Sequence, residues 1–369
     1  MKMCRKNIVD QTPVDPMTVK GPSLAAILHL GPFRVALFVA LFVLLSAAVP
    51  YAIYLKTGAQ LPALDHRWLS WPFLGACAAL LILYFSTDGL RLFYTLKALG
   101  NRIPLRELGP LVFINILVSN ITPMATGGGF AQIWYLRRHG VHIGVATAAT
   151  TLRTLQAVAF IFLPTPFLLL FMTPLQDQPL ANLVALYLAL FALLYSGFFI
   201  VVMVRMSWLM ALVDALLRLL GRFRLLEAVR LRRWHFGIRR EMIRFSRAAR
   251  AFFKGAPADI FLALFFTALF LLTLFSFPAL LLWGLGYPVD YLTSVGLLVV
   301  TTFIMYFSPT PGAAGIAEGV FGLFFAGLVQ PEDLLLAIVG WRFLTIHLGM
   351  IIGVPLTLRA VFGREPRHA

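Results

Sequence analysis

Two arginines, Arg153 and Arg342, each sit inside a long hydrophobic run where charge should be scarce. A guanidinium there does one of two jobs. It binds an anion bidentately, phosphate above all, or it pairs with a carboxylate and holds helices together. The surroundings of the two arginines repeat: Pro123 is followed 30 residues later by Arg153, and Pro311 is followed 31 residues later by Arg342. Upstream of each arginine the apolar run is broken, first by Asn120, Thr122, Pro123 and the glycines Gly127, Gly128 and Gly129, then by Pro309, Pro311, Gly312 and Gly315. A helix that restarts after such a break presents unpaired N–H groups to an anion. Thr126 and Gln132 add polar side chains after the first break, and Glu318, three residues past Gly315, is the carboxylate best placed to face Arg342. Two cations against one anion leave an excess of +1. The set Arg153, Arg342, Glu318, Asn120, Thr122, Thr126 and Gln132 is therefore expected to bind a lipid phosphate, with structural pairing of each arginine as the competing reading.

Other chemistry finds little support. Gly127 to Gly129 lack the Lys-Ser/Thr and the flanking strand of a nucleotide loop, and tight helix contact is their plainer role. His139 and His142 have the spacing of a metal pair but no third ligand nearby. His347, five residues after Arg342, is expected on a different helix face as a packed or hydrogen-bonded histidine rather than a proton carrier. The acidic residues Asp65, Asp177, Asp290, Glu332 and Asp333 show no D-x-D spacing. No cofactor, metal or nucleic acid is expected, and the chain is expected not to be an enzyme.

The elements that must position the arginines follow from composition. The chain has 369 residues, 60% hydrophobic and 12% charged, with a mean hydropathy of +0.87. A soluble domain is about 45–50% apolar and about 25% charged, so the sequence predicts an all-α polytopic membrane protein. Full spans are expected at about 34–54, 71–87, 143–171, 180–204, 259–283 and 334–356, with a kink at Pro164. The broken segments around Pro123 and Pro311 are each too short on either side to cross a core of about 30 Å. Basic residues (Arg102, Arg106, Arg137, Arg138) flank the first, whereas acidic ones (Asp290, Glu332, Asp333) flank the second. By the positive-inside rule they enter from opposite faces as re-entrant elements of an inverted repeat. Arg153 then lies about ten residues, roughly 15 Å, into its helix and Arg342 roughly 12 Å into its own.

Net charge is +16, of which residues 205–257 supply +10: twelve arginines and Lys254 against Asp214, Glu227 and Glu241. This segment reads as a cytoplasmic, amphipathic insertion that touches anionic inner-leaflet headgroups. The organisation is a cytoplasmic tail at 1–33, a membrane domain at 34–358 and a cytoplasmic tail at 359–369.

The segments SNITPMATGGGFAQIWYLRRHG with Arg153, and SPTPGAAGIAEG with Arg342, resemble the two signature regions of the lysylphosphatidylglycerol synthase transmembrane-domain family, the flippase-like domain. The resemblance covers about residues 34–358. It implies a bacterial inner-membrane bundle with two re-entrant elements that moves a lipid between leaflets. Where the family often has a carboxylate after the first turn this chain has Gln132, which makes the first half-site more cationic. No soluble aminoacyltransferase domain follows the bundle in this sequence, so aminoacyl transfer is not expected. The leading expectation is transport of an anionic or polyprenyl-phosphate-type lipid. Alternatives are a membrane glycosyl- or phosphotransferase on a lipid carrier, and a recruiting subunit acting through residues 205–257. A homo-oligomer or a pathway enzyme is the expected protein partner.

Overall fold

The computed structural model describes residues 32–57, 66–171, 251–288 and 290–362, with isolated positions between 186 and 250. Most of the expected span at 180–204 and of the basic insertion, and both tails, lie outside the described residues.

The described chain is helical. α1 covers Pro32–Thr57, α2 Trp71–Ala98, α3 Leu108–Asn120, α4 Thr126–Arg138, α5 Ile143–Phe162 and α6 Thr165–Phe171. After the basic segment come α7 Pro257–Gly284, α8 Tyr291–Met305, α9 Ile316–Phe325, α10 Pro331–Arg342, a π-helical turn Phe343–His347, and α11 Leu348–Phe362. Among the described residues, Trp71–Ala98, Ile143–Phe171, Pro257–Gly284 and Pro331–Phe362 are long and apolar enough to cross a membrane. Local chemistry sets their starts: α2, α7 and α10 each carry a proline in the first turn, where a missing N–H costs nothing. α8 is capped by Asp290, which accepts from Thr293 N–H at 2.8 Å. The chain turns between α5 and α6 at Pro164, as its proline predicts.

One boundary differs from expectation. The span predicted to end near Thr87 continues to Ala98, so Asp88 and Arg91 lie inside α2 and are buried rather than in a polar connection.

α2 and α7 pack antiparallel along their length. Lys97 near the end of α2 reaches Asp259 at the start of α7 at 2.8 Å. At the far end, Phe73 of α2 lies so close to Gly284 that a Cβ there would sit 2.4 Å from its ring. Each of these helices is followed by a helix–break–helix hairpin. In the first, Tyr135 donates to Glu107 at 2.7 Å and His139 Nε2 stands 3.2 Å from the same carboxylate, so α4 ends where α3 begins. Gly127 and Gly128 make this fold possible: a Cβ on Gly128 would fall 1.8 Å from Ser119 Oγ, and one on Gly127 2.6 Å from Thr122 Cγ2. In the second, Tyr287 just before α8 donates to Asp333 at 2.6 Å and accepts from Gln330 N–H at 3.1 Å. Partial burial and that carboxylate raise the Tyr287 phenol above its ordinary pKa. Because α2 and α7 are antiparallel, the two hairpins follow opposite ends of the pair.

The hairpin tips have the same construction. Pro123, Met124 and Ala125 in one and Pro311, Gly312 and Ala313 in the other place two successive residues at positive φ, 53° and 53° against 57° and 53°. Thr126 N–H bonds back to Pro123 O at 3.2 Å and Ala314 N–H to Pro311 O at 3.0 Å, the pattern of a type I′ turn. The sequence shows the match as Thr-Pro-x-Ala-x-Gly at 122–127 and 310–315. The two tips meet: Pro123 and Pro311 form an antiparallel backbone bridge.

Two large apolar cores fill the described bundle, with a small third cluster of Ala98, Leu152, Phe252 and Ala263 beside them. One is built from the first part of α2, the end of α5 and helices α7 to α10; the other from the end of α2, α3, α4 and the start of α5. α11 closes on α3 through Gly349 and Gly353, whose absent Cβ atoms allow approach to Ile116 and to the Phe113 carbonyl, the small-xxx-small packing common between membrane helices.

Candidate functional site: two buried charge clusters beside the breaks

Arg342 is almost sealed, at 2% exposure, with Glu318 at 1%. Its Nε donates to Glu318 Oε1 at 2.7 Å and its Nη2 to Gly312 O at 2.8 Å. The other carboxylate oxygen, Glu318 Oε2, accepts from Gly315 N–H at 2.6 Å. A third-position glutamate that reaches back to the N-cap amide is half of a capping box. Glu318 therefore starts α9 and neutralises Arg342 at once, while Arg342 ties the carbonyl at the turn. The pair expected from the sequence is formed and carries no net charge, with Arg342 Nη1 left buried without an acceptor.

The helix then changes pitch. Leu348 N–H bonds to Phe343 O, five residues back, across the π turn, a feature often found at functional sites. This changes the helix face expected for His347, which is still a packed histidine. A turn wound with i+5 bonds returns residue 347 to the side of residue 342, and the imidazole lies within electrostatic reach of Arg342 and Glu318. Its ring also packs on Phe42 of α1 at 5.6 Å.

Arg153 has a partner that composition and spacing did not reveal. Its Nη2 contacts Asp88 Oδ1 at 2.5 Å, and Arg91, one turn along α2, contacts the same oxygen through Nε at 2.9 Å and Nη2 at 2.6 Å. The anion beside Arg153 comes from α2, not from the position of Gln132, which is buried on α4. Asp88, Arg91 and Arg153 carry two positive charges against one negative. Three donors around them are buried without a hydrogen-bond partner: Arg91 Nη1, Arg153 Nε and the amide nitrogen of Gln156. Gln156, one turn beyond Arg153, accepts through Oε1 from Thr267 at 3.2 Å. Phe270, a turn further along α7, lies under the Arg91 guanidinium at 3.8 Å, a cation–π contact that offsets part of its desolvation. Tyr306, at the end of α8, is 39% exposed and stands within electrostatic reach of both arginines.

The cluster occupies the junction of the two apolar cores. On α2 the buried residues pass from one core at Tyr84 to the other at Leu92, and on α5 from Ala149 to Ala157. Asp88 is about 15 Å from the end of α2, and Arg153 about 15 Å from the start of α5. Tyr84 connects the two charge clusters: it stacks on Phe270 at 5.2 Å and donates to Thr345 O, in the π turn, at 3.5 Å.

The remaining residues expected around the first break mainly build it. Thr122 Oγ1 donates to Val118 O at 2.8 Å and accepts from Gly127 N–H at 2.9 Å. Thr126 donates to Pro123 O at 3.0 Å. Asn120 donates to Ile116 O at 2.8 Å, and its Oδ1 sits where a side chain on Gly312 would begin. Pro309 is exposed ahead of the second turn. Among the described residues no group of three His, Cys, Asp or Glu is arranged to hold a metal ion.

Long apolar helices, two hairpins whose broken tips meet, and buried charges inside the bundle define a multi-pass helical membrane protein. Residues 26–353 match the lysylphosphatidylglycerol synthase TM region family, and the chain belongs to that family. Compared with the curated proteins, the chain has no significant match.

Proposed function

We propose that the chain moves a phosphate-bearing lipid between the leaflets of the bacterial inner membrane. The observation that carries this reading is the meeting of the two hairpin tips at Pro123 and Pro311, with the buried Arg342 bonded to the Gly312 carbonyl in one of the two turns. Irregular backbone at membrane depth is tolerated where protein buries it or where it lines a cavity, and paired broken helices are a common place for a transporter's midplane site. In this reading the hairpins are re-entrant, the halves beginning at α2 and α7 are inverted repeats, and both termini are cytoplasmic. The matched turns, the antiparallel α2–α7 pair and the basic flanks of the first hairpin support that topology. The headgroup passes between the tips, drawn by the arginines, while the acyl chains stay in lipid. The protein's task is translocation without bond chemistry. Anionic inner-leaflet headgroups at residues 205–257 are the second lipid contact.

The test is reconstitution of the purified chain in liposomes with a fluorescent phosphatidylglycerol, followed by quenching from outside. The expected result is faster loss of inner-leaflet signal than in protein-free liposomes. Equal rates would overturn the reading.

A further inference from the structure

We infer that Asp88, Arg91, Arg153 and Gln156 form a site for a singly charged phosphodiester headgroup, selective against zwitterionic and phosphomonoester lipids. This deepens the transport reading and rests on it only for how the headgroup arrives.

The donors come first. Asp88 Oδ1 already receives both arginines, yet Arg91 Nη1, Arg153 Nε and the Gln156 amide nitrogen have no acceptor. Unmatched buried donors are costly. All three face the same deficiency, a missing acceptor, and phosphate oxygens are the acceptors that guanidinium groups match best. The Arg342 cluster also holds one buried donor without an acceptor, Nη1, but Glu318 and Gly312 engage the rest of its arginine and its charge sums to zero, so it has no surplus cation for an anion to neutralise.

The charge count then names the ligand. Two arginines and one aspartate leave +1 in a buried place, and a phosphodiester brings one negative charge, giving a neutral, fully paired cluster. A zwitterionic headgroup brings an extra ammonium for which the cluster has no second carboxylate. A phosphomonoester carries about −1.5 to −2 at pH 7 and overcompensates. Asp88 stays as the resident anion, holding the two guanidinium groups together while the site is empty. Tyr306, just past the end of α8, is the side chain of the second half that stands within electrostatic reach of both arginines.

The experiment uses the full chain in detergent, incubated with an equimolar mixture of phosphatidylglycerol, phosphatidylcholine and phosphatidic acid of identical acyl chains, with retained lipids counted by native mass spectrometry. The wild type is expected to retain phosphatidylglycerol about tenfold over either competitor, the scale of one charge-assisted hydrogen bond. Arg153→Gln removes one cation, and Gln156→Glu supplies the missing negative charge internally; both leave residues 205–257 untouched, so any change reads this site. Each is expected to abolish the preference, and Gln156→Glu is expected to do so with an unchanged or higher melting temperature, which a purely structural role would not produce. Gln156→Leu, expected to weaken the preference about tenfold, serves if either variant fails to fold. Equal retention of the three lipids by the wild type, or a preference that survives in the folded variants, would overturn the inference. Static lipids in liposomes together with a variant-sensitive preference would remove the transport reading and leave the site. Moving lipids with a variant-insensitive preference would remove the site and leave transport.

Discussion

The two arginines that look alike in sequence stand in unlike surroundings. Arg342 is paired within its own half: the carboxylate is on the hairpin's returning helix, the carbonyl on the hairpin's turn, and both oxygens of Glu318 are used. Arg153 is paired with Asp88 on the antiparallel helix α2, shares it with Arg91, and keeps an unmatched Nε. Both clusters keep a buried donor without an acceptor, Arg342 Nη1 in one and Arg91 Nη1 and Arg153 Nε in the other, so the charge separates them. A buried pair with no net charge fixes a backbone, whereas a buried group left with surplus positive charge is unfinished, and an anion can finish it. The repeated spacing from proline to arginine therefore does not give the two arginines the same surroundings.

The contrast is sharpest in stability. Arg342→Gln strands the Glu318 charge and frees the Gly312 carbonyl, so it is expected to cost about 3–5 kcal/mol, read by thermal unfolding in detergent. A loss below that of Arg153→Gln would reverse the comparison. Gly312→Ala comes next: its φ is +57°, and a Cβ would lie 2.8 Å from Asn120 Oδ1 and from Phe42, for a cost of about 1–3 kcal/mol by the same measurement. Arg153→Gln is expected to stay within about 1 kcal/mol of the wild type, because the lost bond is offset by removal of an unbalanced buried charge. Its lipid movement should nevertheless fall to the protein-free rate. The smallest effect belongs to Met124→Gly, at the position matching Gly312. Met124 has a φ of 53° and an exposed side chain, so relief of the left-handed strain against the added chain entropy of glycine leaves a gain of a few tenths of a kcal/mol. A loss there would mean that the first turn depends on its side chain as the second depends on having none.

Much of the second cluster was legible because it is local. Glu318 follows the Gly315 turn by one helical step, and Pro311 and Arg342 bracket a segment whose interruptions stand out against apolar neighbours. The first cluster was half hidden for the opposite reason. Asp88 and Arg91 lie at the end of an apolar run, where falling hydropathy reads as the end of a span. Only a partner 65 residues away, Arg153, makes their burial tolerable. The i,i+3 spacing of Asp88 and Arg91 was the available signal, since such a pair partly neutralises itself on one face of a helix. The shared Thr-Pro-x-Ala-x-Gly was also present in the sequence, but its meaning, two turns of one type, lies in backbone angles. The π turn left no residue signature: Phe343 to His347 is an ordinary apolar stretch, and its winding follows from packing.

The bridge between Pro123 and Pro311 also has a consequence for how the molecule is made. The first hairpin can fold soon after it leaves the ribosome, because α3, α4 and the glycines that let them approach are neighbours in the chain. Its tip has no counterpart until residue 311 has been synthesised and inserted. The centre of the finished protein is thus among the last contacts to form during biogenesis, and a chain arrested between α7 and α8 would hold a complete first half with its tip unmatched.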